Sequence, residues 1–276
     1  MEISNVRKDK TFSRSMRRLA IWVNAFFPFL YSMRYLLTGR TFVGIAWLMR
    51  DAARYKRAEN NSGSGFALSL TNTYPALHDW FEHAGTLPRH YFLQDLWGAR
   101  KVFESGVKEH YDIGSRVDGF IGHCLCFTKV VMLEIRTLHI PVKGLSFRQA
   151  NCMSMSNIET NSISSMSSFH AIEHFGLGRY GDPIDPLGHE KALDEIQRVV
   201  SVGGSIYLGV PVGVQRLEFN AHRIFDPITI ISLFEDCELV EFSVIDDQDV
   251  LHENQAPEKW RQLSFGCGLF HFKKGK

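Results

Sequence analysis

The sequence predicts an α/β protein built on a doubly wound, mostly parallel sheet with an antiparallel pair of strands at its edge. Short apolar runs alternate with helical stretches between residues 107 and 235, as in parallel sheets whose strands are joined by helices. A glycine-rich stretch with Gly114 and Gly119 follows the first apolar run at once. Near the C-terminus, residues 238–245 and 265–273 form two apolar runs with no convincing helix between them. This last pair is the one expected to be antiparallel.

Length and charge set the broad class of the protein. The 276 residues suffice for one sizeable core and an appendage. The net charge of +1 conceals an asymmetry, because residues 1–57 carry 12 Lys and Arg against 3 Asp and Glu, a net charge of +9. The remaining residues carry 19 basic and 27 acidic side chains, a net charge of −8. A basic arm on an acidic body indicates an anionic surface as the partner of the arm, and it argues against nucleic acid as a ligand of the body.

Residues 1–58 are predicted to form a basic, amphipathic arm that associates with membranes. Its apolar runs, at 19–31 and 35–49, are shorter than the roughly 20 apolar residues that a spanning helix needs, and Arg40 interrupts the second. We therefore expect both runs to lie in the interface of an anionic membrane. The alternatives are a helical hairpin packed on the body or on another subunit, and a signal peptide, although no small-residue cleavage site follows Tyr31.

Residues 59–106 are predicted to comprise a linker and helices that cap the body. Residues 59–65 are Glu, Asn, Ser and Gly, a composition typical of flexible linkers. Helices are expected at 75–83 and 91–104. On the second helix, Tyr91 and Gln94 share a face at a helical spacing of three, and both are candidates to contact a substrate. The alternative is that this helix only packs on the body.

Residues 107–276 are predicted to form the body. The five expected parallel strands lie at 107–113, 129–135, 145–149, 162–169 and 205–210. Helices are expected near 118–127, 191–200 and 227–235. The five cysteines include no Cys-x-x-Cys pair, which fits a reducing compartment, and Cys124 and Cys126 are two apart, a poor zinc spacing. No metal site is expected.

The end of the first body strand is the predicted ligand crevice. Asp112 is expected at the carboxyl end of that strand, pointing into the crevice, with Gly114 and Ser115 in the turn that begins a helix. Glu134 ends the next strand, and its two oxygens match the vicinal hydroxyls of a ribose. Arg116 stands where the second glycine of a Gly-x-Gly-x-x-Gly motif would be. The alternative is therefore an ordinary strand-to-helix turn.

Two motifs lie at residues 162–213. The first, Ser-Ile-Ser-Ser-Met-Ser-Ser-Phe-His-Ala-Ile-Glu-His, ends at His174; the second, Ala-Leu-Asp-Glu-Ile-Gln-Arg-Val-Val-Ser-Val-Gly-Gly-Ser-Ile-Tyr-Leu-Gly-Val-Pro, ends at Pro211. A strand ending in a His-x-x-Glu-His-like box, a Glu-x-x-Arg-Val helix and a Gly-Gly turn before another strand resemble the class I S-adenosylmethionine-dependent methyltransferases. Val202 stands where that family has a proline.

Further motifs look like a bacterial branch called domain of unknown function 268, and the resemblance covers about residues 85–250. These motifs are Asp112-Ile-Gly-Ser, Gly176-Leu-Gly-Arg-Tyr-Gly-Asp-Pro, Phe219-Asn-Ala-His-Arg-Ile-Phe and Tyr91-Phe-Leu-Gln-Asp-Leu-Trp. The resemblance implies a Rossmann-like fold and S-adenosylmethionine as cofactor. The branch often accompanies genes for cell-surface polysaccharides.

The resemblance also implies roles for individual residues in holding the cofactor. Asp112 and Gly114 would flank its methionine part, with Ser115 and Phe169 beside them, and Glu134 would hold the ribose. Asn151 falls where the family usually has an aspartate that accepts from the adenine amino group, and an amide oxygen accepts less strongly than a carboxylate. Asn151 and Arg116 are departures from the usual pattern.

The catalytic candidates are His170, Glu173 and His174. The resemblance places them at the carboxyl edge of the sheet near the transferred methyl group, where a histidine can take a proton at neutral pH. The two histidines are four apart, so on a helix they would share a face, with one orienting the other. The alternative is that His174 or Glu173 only orders the following loop. His-x-x-Glu-His is also an inverted zinc-protease motif, but that motif needs a long helix and a further acidic ligand.

The remaining substrate-binding candidates follow the fourth and fifth strands. Arg179 and Asp182 lie in the loop at 176–188, where such folds admit substrate, and the forked donors of Arg179 suit a phosphate or carboxylate. The alternative for Arg179 is a salt bridge to an aspartate of the same loop. His222 and Arg223 are expected on the same edge of the sheet.

Taken together, these features predict a peripheral membrane enzyme at the cytoplasmic face of a bacterial inner membrane. The expected reaction is methyl transfer from S-adenosylmethionine to a hydroxyl of a sugar or lipid-linked sugar in cell-surface polysaccharide biosynthesis. One alternative is a nucleotide-sugar or dinucleotide enzyme that uses the same crevice. The other is a non-catalytic, methyltransferase-like scaffold at the membrane.

Overall fold

The computed structural model describes residues 39–59, 68–69, 75–77, 81, 89–138 and 141–275. Contacts between Cα atoms divide the chain into two units, residues 1–86 and 87–276. The predicted apolar run at 19–31 lies outside the described residues, as do most of the predicted linker at 59–65 and most of the predicted helix at 75–83.

The first unit contains the helix α1, Gly39–Glu59. One face of α1 is covered, because a Cβ atom on Gly44 would lie 2.3 Å from the carbonyl oxygen of Leu77 and the Trp47 ring stacks on Phe81 at 5.1 Å. Within the described ranges, no helix combines the length and the apolar character needed to cross a bilayer.

The second unit contains all the described strands. They are β1 (Glu109–Ile113), β2 (Lys129–Glu134), β3 (Leu145–Gln149), β4 (Ile163–Phe169), β5 (Val200–Val212), β6 (Arg216–Glu218), β7 (His222–Ile224), β8 (Cys237–Ile245), β9 (Leu251–His252) and β10 (Gly266–Lys274). The main sheet has the order β3-β2-β1-β4-β5-β10-β8-β9, and β6 and β7 form a separate antiparallel pair.

The described part of the second unit contains four α-helices and three further helical turns. They are α2 (Arg89–Ser105), α3 (Gly122–Cys124), α4 (Gly188–Val199) and α5 (Pro227–Ser232), with a π-helical turn at Val117–Ile121 and 3₁₀ turns at Ile172–His174 and Pro257–Trp260. Apolar residues of α4 recur at helical spacing and are buried, as expected for a helix that covers a sheet: Ala192, Leu193, Ile196 and Val199.

The predicted doubly wound, mostly parallel sheet is confirmed. Strands β3, β2, β1, β4 and β5 are all parallel to one another. The predicted antiparallel pairing of β8 with β10 is also confirmed. The antiparallel strands lie at one edge of the sheet, where β10 also pairs with β5 and the short β9 pairs with β8 as the outermost strand.

The functional site is positioned by the reversal of strand order at β1. The chain runs outward from β1 through β2 to β3, then returns to place β4 on the other side of β1. Loops that follow β1 and β4 therefore leave the sheet in opposite directions and open a crevice at the carboxyl ends of the strands. Ligands bind at this point in open α/β sheets.

The continuous helix predicted at 118–127 is wrong. Gly119 has non-helical backbone angles (φ −120°, ψ −109°), which separate the π-helical turn from the three residues of α3. A Cβ atom at this position would lie 2.1 Å from a carboxylate oxygen of Asp95 on α2. Because α2 packs closely against Gly119, the backbone is non-helical at this residue, and the continuous helix expected after the glycine-rich turn does not form.

Candidate functional site

Two adjoining cavities open at the carboxyl ends of β1, β2 and β4. The narrower one has mainly apolar walls, and the wider one has a volume of about 670 Å³ and a more polar lining. Both are lined by Gly114, Glu134, Arg136, His170, His174 and Tyr180. The two cavities therefore form one candidate site, with residues that follow three neighbouring strands at its centre.

The side chain of Asp112 stabilises the turn after β1 by hydrogen bonds. The Asp112 carboxylate is fully buried and accepts hydrogen bonds from the backbone N–H of Ser115 (2.9 Å), from the Ser115 hydroxyl (2.6 Å) and from the Ser167 hydroxyl. Burial raises the pKa of this carboxyl to about 6. The prediction that Asp112 points into the crevice is therefore wrong, because its oxygens are taken up by the turn and by β4.

Gly114 and Ser115 do face the site. Gly114 has φ +68°, and a Cβ atom there would lie 3.0 Å from the Cβ of Ala171, so a side chain would be strained in both respects. The Ser115 hydroxyl accepts from the backbone N–H of Phe169 at 3.0 Å. These contacts fix the floor of the wider cavity between β1 and β4.

Glu134 lies at the end of β2, as predicted, and lines both cavities. Arg136 donates to its carboxylate from the backbone N–H (3.1 Å), Nε (3.2 Å) and Nη2 (2.6 Å). Burial raises the pKa of the Glu134 carboxyl, but these bonds outweigh burial and the pKa lies below its ordinary value. A carboxylate offers about four acceptor positions, so Arg136 leaves room for one further donor while it stays in place.

The narrower cavity is suited to a flat, apolar group. Its apolar lining comes from Ile113, Leu133, Ile135, Ala150, Cys152, Met153 and Phe175. Asn151 also lines it, and its side-chain oxygen accepts from the backbone N–H of Met153 at 3.0 Å. That bond turns the chain after β3 and occupies one of the two lone pairs of the oxygen predicted to accept from an adenine amino group.

The three catalytic candidates form one cluster after β4. His170 Nδ1 lies 2.8 Å from Glu173 Oε1, and His174 Nε2 lies 3.7 Å from the same oxygen. The side chains of His170 and Glu173 are only 6% and 2% exposed. His170 Nε2 and Glu173 Oε2 are buried and make no hydrogen bond within the described structure. Glu173 therefore bridges the histidines, which the sequence had expected to act on each other directly.

The pKa values of the two histidines are shifted in opposite directions. Burial lowers the pKa of His170, but the neighbouring Cys267 and Glu173 outweigh burial and raise it well above its ordinary value. Burial lowers the pKa of His174 below its ordinary value, and Glu173 offsets this only in part. Burial raises the pKa of Glu173, but the two imidazoles outweigh it and lower the pKa. Glu173 is thus the charged partner of His170.

Four of the predicted substrate residues line the site. Tyr91, Arg179 and His222 line the wider cavity, and Asp182 lines the narrower one. The Tyr91 ring lies 4.9 Å from the His170 ring, so the helix α2 contributes to the site as well as capping the body. These four residues therefore remain candidates for contact with a substrate.

Gln94 and Arg223 line neither cavity, and the prediction that they face a substrate is wrong. Gln94 lies on the buried face of α2, and its side-chain oxygen accepts from the Cys267 thiol at 3.4 Å. Arg223 is 8% exposed and donates to the backbone carbonyls of Phe175 (2.6 Å) and Pro186 (3.1 Å). Arg223 holds the loop after β4 in place. The guanidinium of Arg223 therefore faces backbone carbonyl oxygens and not the cavity.

The side chain of Phe169 packs mainly in the hydrophobic core. Its side chain is 2% exposed and packs edge-on against Phe120 at 4.7 Å and Trp97 at 6.4 Å. It also lines the wider cavity. The residue that the sequence assigned to cofactor contact therefore anchors α2 to β4, directly before His170.

The loop after β4 is ordered by Asp182. The Asp182 carboxylate accepts from the backbone N–H groups of Gly176 (2.8 Å), Gly178 (3.3 Å) and Tyr180 (3.2 Å). Arg179 instead donates to the carbonyl oxygen of Ala221 at 2.8 Å. The salt bridge considered for Arg179 within its loop is not among the ion pairs of the described residues.

Two residues that sequence reasoning missed are Arg136 and Tyr180. The Arg136 guanidinium lies over the Tyr180 ring at 4.3 Å while it binds Glu134, so the two side chains form one wall shared by both cavities. The only available signal was position, because Arg136 follows Glu134 by two residues. A contact between loops 44 residues apart has no local signature.

A family described as Caenorhabditis protein of unknown function, DUF268, matches residues 131–262, a little under half of the chain. That description names no activity. It also names Caenorhabditis, so the bacterial origin expected from the sequence stays a prediction. No curated protein matches the chain.

Solved structures similar to this chain include several methyltransferases. The N-methyltransferase NodS from Bradyrhizobium japonicum WM9, in complex with S-adenosyl-L-homocysteine, is 12% identical over 67% of this chain and 87% of its own, with a TM-score of 0.47. The 1,6-didemethyltoxoflavin-N1-methyltransferase from Burkholderia thailandensis is 10% identical over 84% and 90%, with a TM-score of 0.49. At these identities the likeness concerns the fold alone.

Proposed function

We propose that this protein binds S-adenosylmethionine in the two adjoining cavities and transfers its methyl group to a hydroxyl of a sugar or lipid-linked sugar. The observation that supports this most is the convergence of Glu134 and the His170–Glu173 pair on one site at the reversal of strand order. A diol-binding carboxylate and a buried imidazole with one unpartnered nitrogen then face a common ligand.

The residues of the site fit such a cofactor. The apolar walls of the narrower cavity suit an adenine ring, and Gly114 leaves the space beside Ala171 that a side chain would fill. Glu134 can accept one ribose hydroxyl with Arg136 in place, and both hydroxyls once the Arg136 side chain turns away. When bound, S-adenosylmethionine supplies the methyl group, which moves to the acceptor oxygen as the carbon–sulfur bond breaks and the carbon–oxygen bond forms.

The protein's part in the reaction is to align the acceptor and remove its proton. With Nδ1 donating to Glu173, the Nε2 of neutral His170 carries the lone pair that takes the hydroxyl proton. The carboxylate holds this tautomer and stabilises the imidazolium that results. Alignment of the acceptor with the methyl group supplies much of the rate.

We also propose that the protein works at an anionic membrane surface, which would bring it to a lipid-linked acceptor. On α1, Phe42, Ile45 and Met49 recur at helical spacing and are 63%, 40% and 67% exposed. Arg50, Arg54 and Arg57 follow on the neighbouring stripe of the helix. An exposed apolar stripe beside a cationic one is typical of helices that lie in a lipid interface.

The cofactor assignment predicts that Glu134→Ala weakens binding of S-adenosylhomocysteine to the full chain. Loss of hydrogen bonds to a charged group costs about 1.5–3 kcal/mol, which is roughly 10–150-fold in Kd. Isothermal calorimetry measures this directly. The matched control is Glu238→Ala, which removes an exposed glutamate of β8 that lines neither cavity and should leave Kd unchanged.

Calorimetry of the native chain also tests the alternatives. No heat with S-adenosylhomocysteine or S-adenosylmethionine would refute the proposed function. Binding of NAD or UDP-glucose in their place would identify a dinucleotide or nucleotide-sugar enzyme, since Glu134 can hold any ribose. No binding of any of the four would support a scaffold without catalytic activity.

A further inference from the structure

Three arginines line the wider cavity, and they differ in what neutralises them. Arg116 pairs with Asp118 at 2.8 Å and Arg136 pairs with Glu134 at 2.6 Å. Arg179 lines the same cavity, and no carboxylate lies within ion-pair distance of it in the described parts of the chain. Arg179 is thus the cation of this cavity whose charge the described protein leaves uncompensated.

The Arg179 guanidinium is nevertheless held in place. Nη1 donates to the carbonyl oxygen of Ala221 at 2.8 Å and lies 3.3 Å from His174 Nδ1, and the Tyr180 ring lies 5.2 Å below the group. A guanidinium has five N–H donors in a planar fork, so most of its donors remain for a ligand. A positioned fork suits a carboxylate or a phosphate better than a mobile lysine would.

Contacts also connect Arg179 to the groups that would handle the acceptor. Arg179 touches His174, His174 Nε2 lies 3.7 Å from Glu173, and Glu173 lies 2.8 Å from His170. Next to this chain, the buried Nε2 atom of His170 makes no hydrogen bond within the described structure, whereas His222 Nε2 lies 3.3 Å from a carboxylate oxygen of Glu218. Arg179 and His170 line the same cavity, so an acceptor bound there can contact both.

The charge of the cavity favours an anion there. Its two lining carboxylates, Glu134 and Glu173, are already paired with Arg136 and His170. Bringing a second negative charge to either would cost energy, whereas a negative charge at Arg179 meets a cation with free donors. The lining of the wider cavity thus carries three arginines against two carboxylates, a net positive charge.

We propose that Arg179 binds an anionic group of the acceptor, a carboxylate or a phosphate monoester, so that the substrate is an acidic or phosphorylated sugar and not a neutral one. This inference rests on the proposed function, because it takes the hydroxyl at His170 to be the methylated group. It extends that proposal by naming the second point at which the acceptor is held, on the opposite side of Glu173 and His174.

The test measures binding of three sugars to the full chain at fixed ionic strength, with and without S-adenosylhomocysteine. The probes are glucuronate, glucose 1-phosphate and glucose. The Kd of each probe is measured by ligand-observed NMR in a titration to saturation. At least one acidic probe should bind about tenfold or more tightly than glucose, because a charged hydrogen-bonded pair outweighs a neutral one. Arg179→Gln should abolish that preference, and Arg179→Lys should restore part of it.

The matched control is Arg100→Gln, which removes an exposed arginine of α2 that lines neither cavity and should keep the preference. Equal binding of glucose and both acidic probes, or a preference that survives Arg179→Gln, would overturn the inference. Binding of S-adenosylhomocysteine separates the two proposals. If it binds without any acidic preference, the inference alone fails; if an Arg179-dependent preference exists without cofactor binding, the proposed function fails and the anion site stands.

Discussion

His170 occupies a backbone conformation that few residues other than glycine adopt, with φ +54°. It follows β4 immediately, and its N–H donates to the carbonyl oxygen of Gly209 on β5 at 2.8 Å. The conformation turns the imidazole back toward Glu173 while Nε2 stays unpartnered. Strained residues of this kind persist where the surroundings hold them, commonly at functional sites.

The raised pKa of His170 makes the pH dependence of the proposed reaction testable. A base must be deprotonated to act, so turnover should rise with pH through a limb well above the ordinary histidine value of about 6.5. Glu173→Gln should shift that limb toward lower pH, because it removes a negative charge that stabilises the imidazolium. His170→Gln should lower turnover by about 10²–10⁴. The measurement is kcat against pH in methyl transfer assays.

Cofactor affinity and folded fraction serve as controls for the histidine variants. S-adenosylhomocysteine should bind His170→Gln nearly as tightly as the native chain, since Glu134 remains. His174→Gln should retain the limb, because His174 is the neutral neighbour in this arrangement. A native-like turnover of His170→Gln per folded molecule would remove His170 as the base and direct attention to Glu173 or Tyr91.

Sequence patterns predicted the position of site residues better than their orientation. His170, Glu173 and Glu134 follow strands, and strand ends can be read from apolar runs. Asp112 follows the same rule but turns inward, because Ser115 and Ser167 satisfy its oxygens. Which neighbour supplies such a bond depends on contacts 55 residues apart, and no local pattern encodes them.

Strands were predicted more closely than helices for a physical reason. The inner strands of the body are largely buried on both faces, and β2 and the second half of β5 accordingly carry nearly continuous apolar runs. Helical periodicity between Asp118 and Phe127 was overridden by packing, because the Asp95 carboxylate fills the space beside Gly119. The fold of the body was therefore predictable, while the local path after β1 was not.

The exposed apolar stripe of α1, which comprises Phe42, Ile45 and Met49, predicts how strongly the chain binds to lipid vesicles. Phe42→Ser with Met49→Ser should weaken flotation of the full chain with vesicles containing phosphatidylglycerol, because each change removes exposed apolar area available to the lipid. Binding of the native chain should also weaken as salt is raised. The matched control changes two exposed valines of the body, Val240→Ser and Val250→Ser.

Equal flotation with neutral and anionic vesicles at every salt concentration would contradict the electrostatic part of this prediction. Unchanged flotation of the Phe42 and Met49 variant would contradict the role of the apolar stripe. A comparable loss in the valine control would show that the effect is a general consequence of lower surface hydrophobicity.

At the scale of the whole body, the sheet encloses ionisable groups that must change protonation when the protein unfolds. His110 on β1 is fully buried, and its two ring nitrogens lie 2.8 Å from the hydroxyls of Ser165 and Ser167 on β4. Burial lowers its pKa to about 3. Burial likewise lowers the pKa values of the partly buried His189 and His271 to about 4.

These histidines predict that the free energy of unfolding falls as pH falls below 6.5. The unfolded chain takes up a proton at His110 below about pH 6.5, while the folded chain does not until about pH 3. In that window His110 alone costs about 1.4 kcal/mol per pH unit. Asp112 opposes this between about pH 4 and 6, because burial raises its folded pKa to about 6, but the three histidines together outweigh it.

The expected outcome is a melting temperature that drops by several degrees per pH unit between pH 6.5 and 4.5, since about 1 kcal/mol shifts Tm by roughly 2–4 °C in a domain of this size. Calorimetry or thermal melts followed by circular dichroism measure it. His271→Gln should make the drop shallower, because one of the three proton-uptake sites is removed while the buried network at His110 stays intact. A melting temperature that is flat or rises toward pH 4.5 would contradict the prediction that these three histidines stay neutral in the folded protein.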